Sequence, residues 1–170
     1  SSAKPTPSAG ASTSPTRTRS AKPYERKFLI ERDCVLNVTN PKIKEIEREL
    51  RSLRLSEHRH AISVLFRVFL EISVDVYLVA KGIPTKTTVN SRTVDKKLNA
   101  KVKDAIADMV QNGVDPKHLQ GVSKGIDDKN SPIHIDTLHG YVHNQFYSPK
   151  ESDLSVAFDN AKPCIEEIWK

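Results

Sequence analysis

The chain has 170 residues, 37% of them apolar and 28% charged, with a formal net charge of +6 and a pI near 9.3. That length suits one ordinary globular domain, and no run of about 18 apolar residues free of charge is present to span a bilayer as a helix. The two cysteines, Cys34 and Cys164, stand at no metal-ligand spacing; they read as buried thiols of a reducing, cytoplasmic compartment, a disulfide between them being the lesser alternative.

Residues 1–23 are almost entirely Ser, Thr, Pro, Ala and basic side chains, with no aromatic or branched aliphatic residue. Such a segment has nothing to bury and is expected to be a disordered linker. It holds Lys4, Arg17, Arg19 and Lys22 and no acid, and setting those four aside leaves 23 basic against 21 acidic residues. The high pI is thus largely a property of the tail, and gives little reason to assign nucleic-acid binding to the domain. The absence of an initiator Met and the Ser/Thr/Pro-rich start lead to the expectation of a piece cut from a longer protein.

Order is expected from Tyr24, with Phe28–Ile30 and Val35–Val38 as β-prone pieces of an extended arm or small hairpin over 24–39. The helical domain then occupies 40–170. Four pairs, Asn40-Pro41, Asp115-Pro116, Ser131-Pro132 and Ser148-Pro149, place a capping residue before a proline and predict helix starts. A first helix over 41–53 carries Ile43, Ile46, Leu50 and Leu53 on one face. A second spans about 57–81, capped by Ser56 and stopped at Gly82. Residues 84–92 read as a polar loop. A third helix, about 93–112, repeats Leu98, Val102, Ala105, Ile106 and Met109 at helical spacing. Its Lys96, Lys97, Lys101 and Lys103 form a solvated face that a nucleic-acid backbone could also use. A short helix at 116–123, a fifth from Pro132 and a last over 149–169 follow, Pro163 being expected to kink or split the last.

Within the second helix, LFRVFLEISVDVYLVA (65–80) has twelve apolar residues in sixteen, yet Arg67, Glu71 and Asp75 recur every fourth position. Four residues turn a helix by about 400°, so the three charges form one narrow stripe on an otherwise core-like rod. The fifth segment, SPIHIDTLHGYVHN, places His139 and His143 one above the other, with Asp136 a turn earlier. Metal binding would need at least a third ligand in reach, and two histidines at that spacing are alone a weak signal for it. They could act as general acid or base, or serve as polar packing that holds helices in register.

AISVLFRVFLEISVDVYL, then KLNAKVKDAIADMV, then LHGYVHN, then a helix ending in IEEIW, resembles the HEPN superfamily of small α-helical bundles. The likeness is to the branch found at the carboxy-terminal ends of bacterial restriction and phage-defence proteins. Ala61, Leu65, Phe66-Arg67 and Leu70-Glu71 match that branch's early-helix pattern, and His143 matches the histidine of its later helix. The resemblance implies an all-α bundle of five to six helices whose early helix faces the histidine-bearing one. It also implies a homodimer, or docking on other subunits, with Tyr141, Phe146 and Tyr147 suited to the contact. Active members place an arginine ahead of the histidine with four to six residues between the two. Here those positions hold Asp136, Thr137 and Leu138, with Ile135 a step further, and His139 stands where an asparagine is expected. The arginine is therefore missing from its motif, and Arg67 could supply its charge from the neighbouring helix.

The resulting expectation is a non-catalytic assembly module in which Arg67, Glu71 and Asp75 meet Asp136, His139 and His143 across the bundle. It calls for no cofactor, metal, membrane or small-molecule substrate. The alternatives are a metal-independent ribonuclease using His143 with His139 or Arg67, and a nucleic-acid-binding domain using the third-helix lysines.

Overall fold

The computed structural model describes residues 26–170, so the expected linker lies outside the described residues. Six helices are present among the described residues: α1 Pro41–Leu50, α2 Leu55–Ala80, α3 Leu98–Gln111, α4 Gln120–Gly125, α5 Ile135–His143 and α6 Glu151–Ile168. Between α2 and α3 stands one antiparallel ribbon, β1 Lys86–Val89 and β2 Arg92–Asp95. The protein is thus a largely helical assembly with one small sheet. No helix among the described residues is long and apolar enough to cross a membrane.

α2 is the hub, with α1, α3, α5 and α6 all packed on it. The reason is in its sequence: Ile62, Phe66, Phe69, Leu70, Val74 and Leu78 are all buried, and burying each contributes about 1.5–3 kcal/mol. Phe66 meets Phe158 of α6 edge-on at 6.0 Å, and the Trp169 indole donates to Ser73 Oγ at 3.3 Å. At its end Gly82 takes φ +69, which lets its N–H reach Val79 O and the Ile83 N–H reach Leu78 O at 2.8 Å. Those two bonds satisfy carbonyls that the last turn would leave free, and the positive φ favours glycine.

Among its described residues, 26–39, the arm forms no hairpin. Its β pairing is a single bridge between Phe28 and Arg54, and Leu29, Ile30, Cys34 and Val38 bury themselves on the same chain's helices. Arg51 holds it there. Its guanidinium donates to Glu31 O at 2.8 Å and Cys34 O at 2.7 Å, and also to Glu47 Oε1 at 2.7 Å. Arg26 adds an ion pair with Asp159 of α6.

Of the four cap–proline pairs, only Asn40-Pro41 opens a helix as expected, Asn40 Oδ1 accepting from Ile43 N at 3.2 Å. Asp115 and Ser131 instead accept from the N–H two residues on, Lys117 and Ile133, closing turns that precede α4 and α5. Short polar side chains stabilise such turns as readily as helix starts. α5 therefore begins at Ile135, and α6 at Glu151 after Lys150. α6 runs through Pro163 as one element rather than splitting. α2 starts after Arg54 with no side-chain cap, so Ser56 does not have the role expected of it.

The expected 84–92 loop and third-helix start at 93 are also corrected. Asn90 and Ser91 both adopt positive φ, 47° and 62°, making a two-residue turn. That turn twists in the sense of the flanking strands, and threonines and valines on either side favour extension. α3 begins only at Leu98, keeping Val102, Ala105 and Met109 buried as its spacing predicted.

Candidate functional site

α5 is positioned by a residue that sequence reasoning passed over. His134 is the N-cap of the helix, its Nδ1 accepting the Asp136 backbone N–H at 3.2 Å, and it is buried. The signal was an acceptor side chain two residues before an acidic first turn. Histidine is an uncommon cap, so the proline-marked serine upstream drew the expectation instead.

From that start α5 packs on α2. Arg67 Nη1 lies 3.3 Å from His139 Nδ1, an acceptor when that nitrogen is unprotonated. The His139 and His143 rings lie 4.3 Å apart, tilted by 38°. Both histidines are exposed and Arg67 is half-buried. His139 and His143 line an open depression of about 620 Å³ together with Asp136, Gly140, Asn144, Gln145 and Phe146. Two hydrogen bonds close the turn after α5: Asn144 Oδ1 accepts from Phe146 N at 2.9 Å, and Asn144 O from Tyr147 N at 3.1 Å. Tyr147 stacks on buried Tyr141, ring centroids 5.1 Å apart. Phe146 is left 88% exposed.

The six-member polar cluster expected across the bundle is only partly assembled. Arg67, His139 and His143 come together. Asp75 turns instead to α3, where the Lys101 ammonium reaches it at 2.8 Å. The Asp136 carboxylate is 80% exposed and stands 3.8 Å from His134 Nδ1, not beside Arg67. Glu71 is half-buried and has no ion pair among the described residues. The stripe faces two different helices because residues at every fourth position drift round the axis by about 40° per step. Over eight residues that is enough to pass from α5 to α3.

Of the expected lysine face, Lys97 and Lys103 are exposed, and Lys101 is the member that departs from it. Lys101 is 4% exposed, sealed against Asp75. Lys96 pairs with Asp104 at 2.7 Å and Lys103 with Asp127 at 2.8 Å, while Lys97 is exposed. Among the described residues no group of three or more His, Cys, Asp or Glu is arranged to hold a metal ion. The two thiols are buried and free.

Chemically, the α2–α5 face offers a guanidinium, two imidazoles and a projecting aromatic ring around a shallow open hollow. Comparison with protein-family models, with curated proteins and with solved structures returned no match.

Proposed function

We propose that the chain is a non-catalytic assembly module, a HEPN-like helical domain that pairs with a second copy of itself through the face built by α2 and α5. In this reading it serves the carboxy-terminal end of a larger bacterial protein acting in phage defence or DNA processing. The observation that carries the reading is Phe146, 88% exposed on a turn fixed by Asn144, at the rim of the hollow lined by His139 and His143. A twofold contact uses the same patch on both partners, and a knob beside a hollow supplies both halves of such a contact. Exposed aromatic rings make effective anchors because covering them removes a large apolar area from water.

The test is the mass of the purified chain in solution across a concentration series, beside Phe146→Ser. A wild-type dimer that the variant converts to a folded monomer supports the reading. A wild-type monomer at every concentration overturns it.

One arrangement favours a second reading, a metal-independent ribonuclease. Arg67 stands at hydrogen-bonding distance from His139, whose ring lies against His143. A guanidinium can hold a phosphate while an imidazole moves a proton. Asp136, on the same hollow, would oppose that phosphate. Incubating the chain with transfer RNA and total RNA, beside His143→Ala, separates the readings: cleavage that disappears in the variant replaces the assembly module with the enzyme.

A further inference from the structure

All eight strand residues of the β1–β2 ribbon are exposed. A two-stranded ribbon with both edges open is marginal on its own, so a well-formed one projecting from a helical protein invites a partner. The register places Thr88 opposite Thr93 and Lys86 opposite Asp95 on one face, and Thr87 opposite Val94 and Val89 opposite Arg92 on the other. The valine face looks toward α3, sharing a groove with Asn99, Ala100 and Asp104. The threonine face is therefore the one turned outward.

Charge indicates the partner. Residues 86–97 hold Lys86, Arg92, Lys96 and Lys97 against the single acid Asp95. Lys96 is committed to Asp104, and the α3 lysines Lys101 and Lys103 to Asp75 and Asp127. Lys86, Arg92 and Lys97 have no ion pair among the described residues and all are exposed. The strands of a ribbon lie about 4.8 Å apart. With its side chains such a ribbon fits the major groove of B-form DNA, about 12 Å wide, which admits either a helix or a two-stranded ribbon.

We propose that the β1–β2 ribbon is a binding element for double-stranded DNA, seated in the major groove. The Thr88 and Thr93 hydroxyls turn toward base edges with Lys86 beside them on the same face, while Arg92, next to the turn on the opposite face, and Lys97, beyond the end of β2, reach the flanking phosphates from the two ends of the ribbon. Thr hydroxyls donate or accept with several bases, so the element gives modest sequence preference and a salt-dependent affinity.

The experiment titrates the full chain into a fluorescently labelled 20-base-pair duplex at several salt concentrations, beside Lys86→Ala/Arg92→Ala and a variant in which 86–95 is replaced by a short glycine linker. The side chains of Lys86 and Arg92 are solvent-exposed, so the double variant should keep the parent melting temperature. The proposal requires that it bind about tenfold more weakly, with the slope of log affinity against log salt reduced by about two. The linker variant should lose salt-steep binding altogether. A-form RNA has a deep, narrow major groove, so a duplex RNA of the same sequence should bind less well. Four results overturn the proposal: no binding by the parent, equal affinity for the RNA, unchanged binding by the linker variant, or ribbon changes that alter the mass of the protein while leaving DNA affinity alone.

Discussion

The Lys101 ammonium lies 2.8 Å from the Asp75 carboxylate, with the lysine side chain 5% and the aspartate side chain 36% exposed. The pair is asymmetric, and its two halves should respond differently to substitution. Asp75→Asn strands a buried ammonium and should destabilise by about 3 kcal/mol or more. Lys101→Met replaces it by an apolar chain of similar length and leaves a carboxylate whose Oδ1 is buried although the side chain as a whole is 36% exposed, so it should cost about 1–3 kcal/mol, less than Asp75→Asn. Urea unfolding of both variants and of the double variant measures this. A greater loss from Lys101→Met than from Asp75→Asn would refute the account.

Arg51 supplies the second prediction. Its planar fork closes the arm over α1 through two carbonyls and Glu47, itself only 10% exposed at the side chain. Arg51→Ala should cost about 2–4 kcal/mol, since two carbonyls and a carboxylate lose their partner together. Arg51→Lys should rescue little, because one ammonium cannot reproduce three directions of donation. Hydrogen exchange should localise the added opening to the arm over 26–38.

What could be read directly from the chain was whatever repeats along it. The buried faces of α1 (Ile43, Ile46, Leu50) and α3 (Val102, Ala105, Met109) follow from helical spacing, because burial there is set by the helix's own geometry. The ribbon was missed because both strands are short and fully exposed, so no apolar alternation marks them, and the Asn90-Ser91 turn lacks glycine. The fate of Lys101 was hidden because its partner lies on another helix, and lysines at helical spacing look the same whether solvated or sealed. Arg67 could be assigned toward α5, but the drift of the stripe that hands Asp75 to α3 depends on how three helices pack.

Arg67 and His139 bear on the site without bearing on the fold. Their contact is single, 3.3 Å long and solvent-facing, and such pairs contribute about 1 kcal/mol or less. Arg67→Ala should therefore leave the melting transition nearly unchanged while altering, under the proposed assembly reading, the mass in solution or, under the second reading, RNA cleavage. A loss of several kcal/mol would mean that Arg67 makes buried contacts its position on α2 does not suggest.

The cysteines predict an alkaline weakness. Burial, with Glu167 adding to it, pushes the Cys164 thiol from near 9 up to about 12, and burial also raises Cys34, Lys162 and Arg51 opposing. Below pH 9 both folded and unfolded chains keep these protons, so stability should not vary on their account. From pH 9 to 12 the unfolded thiol ionises while Cys164 does not, and stability should fall, by up to about 1.4 kcal/mol per pH unit per thiol. At pH 8 a thiol reagent should react slowly with the native protein and with two groups per chain after unfolding.

Gly125 should resist replacement even by alanine. In a helix alanine normally gains about 1 kcal/mol over glycine. At the end of α4, however, an added methyl would run into Ile133 Cγ2 and come within 3.0 Å of Ser131 Oγ. Ile133 is 1% exposed and cannot swing into solvent. Overpacking of this kind costs about 1–3 kcal/mol, so Gly125→Ala should destabilise. The collision is specific enough to test by a cycle: shortening Ile133 to alanine opens the space, so Gly125→Ala should cost less in an Ile133→Ala background than alone. Additive losses would mean that α4 and the 131–133 turn are not in the contact that fixes the entry of α5.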